Sequence, residues 1–196
     1  MTRNRILIGV AVALVGILVA WFLILPRFRP HIFGGAVIQS TQKAPRLELD
    51  SADGPVRMTD FEGDVVVVYF GYTLCPDVCP TTLRKLADAV TLLGDKAEDV
   101  QVMMVSVDPA RDTPELLKEY VTHFHPDFIG LSGTKEQIDA AGEGYGLYYE
   151  KHEGTEATGY LVDHTARVFV VDPDGNYQLS FSYGTPVEDI VHDLRL

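Results

Sequence analysis

The sequence predicts an α/β domain in which a mixed β-sheet carries helices on both faces. Three continuous apolar runs rich in β-branched residues have the composition of buried strands, at residues 65–70, 100–107 and 168–171. Patterns with helical periodicity follow the first two runs. The third run ends at the hairpin turn 172–175, so the last strands are antiparallel. Alternating strands and helices with an antiparallel finish define this fold class.

An apolar run at residues 6–25 precedes the domain. About twenty such residues span the hydrocarbon core of a bilayer, and the run lacks both the cleavage pattern of a signal peptide and an Arg- and Ser-rich organellar presequence. We therefore expect a single-pass anchor in a bacterial cell membrane, after a short cytoplasmic N-terminus at 1–5. A juxtamembrane linker at 26–43 would lead to a folded domain at 44–196 on the extracytoplasmic side, because a very short N-terminus favours staying inside.

The charge of the chain is unevenly distributed. The first forty residues contain four arginines and no acidic residue, which leaves 12 basic against 28 acidic residues in the rest of the chain. A domain this acidic repels nucleic acid at long range. We therefore expect no nucleic-acid partner.

The first elements of the domain are a hairpin, the central strand and a helix. Apolar residues alternate with polar ones on both sides of Asp53-Gly54, which predicts an N-terminal β-hairpin before the strand at 65–70. A loop with two cysteines then leads into a helical pattern and the strand at 100–107. The next helix opens at Thr113-Pro114, with a capping residue followed by proline in the first turn.

The second half of the domain continues the alternation. A short strand at 128–131 precedes a helix that opens with a capping box at Thr134, and a strand is predicted at 145–149. Residues 150–158 have the composition of a polar loop. The strand at 168–171, a returning strand and a helix after Thr185-Pro186 complete the chain. This order of elements is the thioredoxin plan with additions at the front and in the middle.

Cys75 and Cys79 are the only cysteines, and they lie in a C-x-x-x-C loop between the central strand and a helix N-terminus. The N-terminus of a helix favours the deprotonated form of a cysteine, the thiolate. The thiolate, and not the thiol, acts as a nucleophile and binds metals. A structural disulfide that closed so short a loop would stabilise the folded state by only roughly 1.5–2 kcal/mol. Sites collect at the carboxyl ends of α/β strands, so a redox pair or a metal site is favoured over a structural disulfide or inert buried thiols.

A third ligand would distinguish a metal site from a redox pair. His164 directly precedes the strand at 168–171, and in a thioredoxin-type sheet the loop before that strand faces the cysteine loop. The residues alone leave open whether His164 is a ligand or a histidine that ends a strand. The remaining histidines are interpreted as solvated or helix-end residues: His31, His123, His125, His152 and His192. Met58, Met103 and Met104 are interpreted as core residues, and Asp77 as a turn former.

Three segments resemble the signature blocks of the Sco/SenC family, the copper chaperones for cytochrome c oxidase assembly. They occur in the family's order and spacing: 69–80 (YFGYTLCPDVCP), 106–114 (SVDPARDTP) and 163–175 (DHTARVFVVDPDG). The resemblance implies a thioredoxin-like domain that binds one copper ion, as Cu(I) or Cu(II), through Cys75, Cys79 and His164. It also implies an upstream copper donor protein, and a role at the binuclear copper site of cytochrome c oxidase subunit II.

Two enzymatic alternatives stay open at this point. A thiol–disulfide reductase acting on the cysteines of oxidase subunit II would use Cys75 and Cys79 as a redox pair without needing His164. A peroxidase built on the same frame would also depend on one of the cysteines. We expect a metallochaperone, with reductase activity as a role that does not exclude it.

Overall fold

The structure is a computed structural model that describes residues 14–19, 33–38, 42–155 and 159–195. It divides into two compact units, Met1–Ile32 and Phe33–Leu196. Residues 14–19 of the first unit are helical. The predicted segment 1–5, the rest of the predicted anchor 6–25 and most of the predicted linker lie outside the described residues. Among the helices that are described, none has both the length and the apolar character needed to cross a membrane.

The second unit contains ten strands and four α-helices within the described residues. In chain order, the strands are β1 (Ala36–Val37), β2 (Glu48–Ser51), β3 (Gly54–Arg57), β4 (Val65–Gly71), β5 (Val100–Ser106), β6 (Ile129–Leu131), β7 (Tyr149–Glu153), β8 (Tyr160–His164), β9 (Arg167–Val171) and β10 (Tyr177–Ser182). The helices are α1 (Val78–Leu93), α2 (Pro114–Thr122), α3 (Lys135–Glu143) and α4 (Val187–Asp193). Short 3-10 segments are present at Met58–Phe61 and Gly94–Asp99.

Six strands form one mixed sheet in the order β1-β10-β9-β4-β5-β6. β4, β5 and β6 are parallel, whereas β9 runs antiparallel to both β4 and β10. β4 lies in the middle and all seven of its residues are buried, as expected for an apolar run without alternation. The predicted mixed sheet and its three buried strands are therefore confirmed.

Alternate side chains of β4 face opposite layers of the domain. Tyr69 and Gly71 face α1, since a Cβ atom at Gly71 would lie 2.9 Å from the Sγ atom of Cys79. Phe70 faces the other way and packs against Tyr145, at 5.7 Å between ring centroids. α4 packs beside α1, while the chain that follows α3 covers the opposite face. The cysteine helix is therefore held directly against the central strand.

The predicted N-terminal hairpin is present. β2 and β3 pair antiparallel as a separate two-stranded sheet, and Gly54 adopts a φ of +125°, which favours glycine. Leu47 and Leu49 are buried against the rest of the core. The hairpin is joined to the edge of the main sheet by a single β-bridge between Asp50 and Ser132, the residue that follows β6.

The prediction for residues 145–158 was wrong. No strand runs over 145–149: the chain turns after α3, with Gly146 at a φ of +66°, and Tyr145 enters the core beside Phe169. The predicted polar loop instead begins with β7, which pairs antiparallel with β8 in a second separate hairpin. β7 is mostly exposed, so it has no apolar alternation by which its sequence could reveal it.

Candidate metal centre

The loop between β4 and α1 presents the two thiols at the start of a helix. The backbone N–H of Cys79, in the first turn of α1, donates to the Sγ atom of Cys75 at 3.4 Å. Cys79 is fully buried and Cys75 is half-buried, and both are free thiols. The first turn of a helix has unpaired N–H groups that favour an anion, so the sequence-based expectation about this loop agrees with its geometry.

Gly71 allows the cysteine helix to approach the sheet. A Cβ atom at this position would lie 2.9 Å from both the Sγ atom of Cys79 and the Cε1 atom of Tyr69. Real Cβ atoms do not approach other atoms so closely, so a side chain at Gly71 would push the thiol of Cys79 outward. The break after the apolar run of β4 therefore has a packing function next to the site.

His164 ends β8 and brings its ring to the thiols from a different part of the chain. Its Nε2 atom lies 3.4 Å from the Sγ atom of Cys79. Its Nδ1 atom lies 3.3 Å from the carbonyl oxygen of Thr165. Because a carbonyl oxygen can only accept, the proton of the neutral ring belongs on Nδ1, and Nε2 keeps a lone pair that faces the sulfurs.

Two tyrosines fix the plane of the imidazole. The rings of Tyr69 and Tyr72 meet His164 edge-on, with centroid distances of 6.1 and 5.9 Å. The hydroxyl of Tyr72 also accepts a hydrogen bond of 3.2 Å from the backbone N–H of Val162, two residues before the histidine. Strand β4 and the cysteine loop therefore position His164 as well as the two cysteines.

The three candidate ligand atoms converge on one point. The sulfurs of Cys75 and Cys79 and a ring nitrogen of His164 lie within 4.8 Å of one another. Two ligand atoms that each bind one ion at roughly 2.3 Å are separated by up to about 4.6 Å, so only small adjustments are needed. Among the described residues this is the one group of three or more His, Cys, Asp and Glu side chains with such geometry. Two soft sulfurs with an imidazole suit copper in either oxidation state.

The pKa values of the two thiols are shifted in opposite directions. A hydrogen bond from the Cys79 thiol, stronger than the opposing effect of burial, lowers the pKa of Cys75 well below its usual range. The same hydrogen bond, together with burial, raises the pKa of Cys79. The metal-free pair therefore loses its first proton easily and holds its second, as expected for two coupled groups.

Two buried aspartates lie behind the site and have no role in the sequence-based interpretation. Asp112 accepts hydrogen bonds from the backbone N–H of Thr73 at 3.1 Å, from the Thr73 hydroxyl at 2.5 Å and from the Ser106 hydroxyl at 2.6 Å. Asp108 is fully buried and accepts from the Tyr160 hydroxyl at 2.6 Å. Both lie in the second signature block, but the sequence does not reveal which groups their oxygens bind.

Asp108 is neutralised by two cations. Arg111 donates to Oδ2 of Asp108, and the Nζ atom of Lys151 lies 3.1 Å from Oδ1. Burial alone would raise the pKa of Asp108, but the hydrogen bonds from Tyr160, Arg111 and Lys151 lower it below its usual value. The carboxylate is therefore charged at neutral pH, and both of its oxygens are bound by these three side chains.

The other candidate residues do not join the site. His152 pairs with Asp163 at 3.0 Å, and His123, His125 and His192 belong to no ligand group among the described residues. Met103 and Met104 are buried core residues, as predicted. Asp77 precedes α1 without capping it through its side chain. His31 lies outside the described residues.

The comparisons with known proteins concern the part of the chain that contains this site. The family model described as SCO1/SenC matches residues 37–196, which include all three candidate ligands. A SCO2-like protein of Rickettsia felis is 35% identical over 150 residues, covering 76% of this chain and 73% of the relative. The solution structure of apo Sco1 from Thermus thermophilus is similar with a TM-score of 0.76 and 42% identity, over 84% of this chain and 96% of that one. A crystal structure of Arabidopsis thaliana ScoI with copper bound has a TM-score of 0.72 and 35% identity, over 77% and 94%.

Proposed function

The chain belongs to the SCO1/SenC family, and from this we propose that it binds one copper ion through the Sγ atoms of Cys75 and Cys79 and the Nε2 atom of His164. The convergence of these three atoms within 4.8 Å of one another carries the proposal. The Arabidopsis relative with copper bound supports the choice of metal. Two thiolates suit Cu(I), and the added imidazole allows Cu(II).

We further propose that the chain is a metallochaperone for cytochrome c oxidase assembly. It would receive copper from an upstream donor protein and help to build the binuclear copper centre of oxidase subunit II. Three protein ligands leave a position open for a partner's cysteine, so the ion can pass from one protein to the other by stepwise exchange of ligands. Residues 6–25 would hold the protein in a bacterial cell membrane, with the copper domain on the extracytoplasmic side.

Metal analysis of the full-length chain in detergent tests the copper proposal. The chain purified under reducing conditions should retain about one copper per molecule after gel filtration, as one three-ligand site requires. The same chain with Cys75 and Cys79 joined as a disulfide should retain none, because metal binding requires deprotonated thiols. A reduced chain that takes up no copper would exclude the proposed function.

The reductase alternative is supported by one observation, the lowered pKa of Cys75. A thiolate at Cys75 could attack a disulfide in oxidase subunit II, and Cys79 would then resolve the mixed disulfide. The target would gain two thiols, and a Cys75–Cys79 disulfide would remain. This reaction needs both cysteines but not His164, so oxidase assembly that survives in a His164→Ala variant would favour the reductase.

A further inference from the structure

We propose that the loop between β5 and α2 sets the distance between the two halves of the copper site, with Asp108 and Asp112 as positioning residues. One half consists of the cysteine loop and the other of the hairpin that carries His164. The inference rests on the proposed copper function for its final step. The positioning itself concerns the metal-free protein and can be measured there.

The histidine half of the site needs side-chain contacts to hold it in place. β7 and β8 form a two-stranded sheet of their own, and within the described part of the chain no strand ladder joins them to the main sheet. His164 is the last residue of β8 and lies three residues before β9 begins. A hairpin outside the sheet would otherwise be free to move its end, because a pair of strands alone is marginally stable.

Asp108 connects both strands of the hairpin to the body of the domain, in addition to the hydrogen bond between Val162 and the Tyr72 hydroxyl. Its Oδ1 atom accepts from the hydroxyl of Tyr160 on β8 and from Lys151 on β7, so it binds both strands at once. Arg111 completes the contact: its guanidinium lies 3.6 Å from the ring centroid of Tyr160, and its Nη1 atom donates to the Tyr160 carbonyl oxygen at 3.0 Å. Ion pairs and cation–π contacts of this kind are strongest where water is excluded.

Asp112 makes the corresponding contact with the cysteine half. It accepts from the backbone N–H and the hydroxyl of Thr73, two residues before Cys75. The Ser132 hydroxyl donates to the Asp112 carbonyl oxygen at 2.9 Å, which fixes the backbone of the loop to the edge of the sheet. The start of the cysteine loop is thus held by a buried carboxylate that is only 1% exposed.

Ser106 joins the two aspartates. The backbone N–H of Asp108 donates to the Ser106 hydroxyl oxygen at 3.0 Å, and the Ser106 hydroxyl donates to Asp112 at 2.6 Å. A continuous series of hydrogen bonds therefore runs from Tyr160 on the histidine hairpin to Thr73 on the cysteine loop. These hydrogen bonds fix the position of the hairpin relative to the cysteine loop, because breaking one of them would leave a buried polar group without a partner.

Neither aspartate is itself part of the ligand cluster. Their carboxylate oxygens bind hydroxyl, amide and cationic donors, and neither residue belongs to the ligand group of Cys75, Cys79 and His164. Their effect on copper must therefore pass through geometry. A loosened hairpin would displace His164 and weaken Cu(II) binding more than Cu(I) binding, because two thiolates alone can still hold Cu(I).

The test compares Tyr160→Phe with Tyr148→Phe in the full-length chain. Both changes remove one hydroxyl near the same hairpin, but the Tyr148 hydroxyl contacts only Glu150 among the contacts described, and Tyr148 is exposed. In the metal-free protein, hydrogen exchange of the Val162 amide should become about tenfold faster or more in Tyr160→Phe and stay unchanged in Tyr148→Phe. The Kd for Cu(II) should rise roughly 10- to 100-fold in Tyr160→Phe, while the Kd for Cu(I) should stay within about threefold of the unsubstituted value.

Either of two results would overturn the inference: unchanged Val162 exchange, or equal loss of Cu(I) and Cu(II) binding. Lys151→Gln, at a half-exposed position, should show the same pattern more weakly and serves if Tyr160→Phe does not fold. Absence of copper binding by the unsubstituted chain would refute the proposed function instead. The exchange measurement would still decide whether the loop positions the hairpin.

Discussion

The Nε2 atom of His164 lies 3.4 Å from the Sγ atom of Cys79, although 85 residues separate them in the sequence. One residue follows a parallel strand at the centre of the sheet, and the other ends a hairpin outside it. The contact therefore exists only when the domain is folded. Copper that binds all three ligands would stabilise the folded state, because the unfolded chain has no preformed site.

Replacement of His164 by alanine should separate the two oxidation states of copper. We expect Cu(II) binding to be lost, since Cu(II) requires the nitrogen ligand, and Cu(I) binding to be weakened but measurable through the two thiolates. Anaerobic competition titrations with chelators of known affinity would measure both dissociation constants. His152→Ala is the matched control, because this histidine is on the same hairpin but pairs with Asp163. Full retention of Cu(II) affinity by His164→Ala would contradict the three-ligand site.

The thiol of Cys75 should react as a thiolate at unusually low pH. A group with a lowered pKa is deprotonated above that pKa and loses its reactivity only as the pH falls through it. Alkylation of Cys75 by iodoacetamide in the reduced, metal-free chain should therefore change little between pH 8 and pH 6. An ordinary thiol with a pKa of about 8.5 would slow by roughly two orders of magnitude over the same range.

The cause of this reactivity can be tested with Cys79→Ala. The largest effect on the pKa of Cys75 is the hydrogen bond from the Cys79 thiol, so its removal should raise that pKa and slow alkylation at pH 6. Cys79 itself should resist alkylation, because it is fully buried and its pKa is raised. Mass spectrometry of tryptic peptides would distinguish the two sites. An unchanged pH profile in Cys79→Ala would show that the helix N-terminus, rather than the second thiol, activates Cys75.

Asp112→Asn should destabilise the domain and weaken copper binding in both oxidation states. An amide in place of the carboxylate would place an NH₂ group opposite a hydrogen-bond donor, Thr73 or Ser106. We expect a loss of about 3 kcal/mol in the free energy of unfolding, or roughly 6–12 °C in Tm by calorimetry. Asp53→Asn is the control, because its ion pair with Lys118 is exposed and should contribute less than about 1 kcal/mol. Equal stabilities of the two variants would contradict the role of Asp112.

Gly71→Ala should damage the site through packing alone. The added methyl group would lie 2.9 Å from the Sγ atom of Cys79, so we expect destabilisation of about 1–3 kcal/mol and weaker copper binding. Gly184→Ala adds the same group where no atom of the described residues lies within 4 Å, and it should be neutral or slightly stabilising. Urea denaturation with copper titration would measure both effects. Normal copper affinity in Gly71→Ala would show that the cysteine helix can shift without cost to the site.

The central part of the fold could be predicted from the sequence because a strand that is buried on both faces has apolar residues at every position. The run 65–70 is apolar at every position and became β4, with both faces covered. The capping residues Thr113 and Thr134 likewise begin α2 and α3, and each accepts the backbone hydrogen bond that defines a cap. Cys75 and Cys79 were recognisable as a site because they are an isolated pair at the end of such a strand.

The hairpin of β7 and β8 could not be predicted in the same way. Residues 149–153 are mostly exposed, and the contacts that hold the hairpin come from Asp108 to Lys151 and from Arg111 to Tyr160, more than forty residues apart in the sequence. The distance between His164 and the thiols depends on this hairpin. Residue periodicity could therefore leave His164 only as a candidate, whereas the family resemblance implies it as a ligand and the fold places it 3.4 Å from Cys79.

The unequal burial of the three ligands gives the site a front and a back. Cys79 lies against Gly71 and Tyr69 with no exposed surface, whereas Cys75 and His164 are each partly open to solvent. An incoming thiolate can reach a bound ion only from the open side. In the proposed transfer, Cys75 and His164 would therefore be displaced before Cys79, and the buried sulfur would be the last ligand to leave the ion.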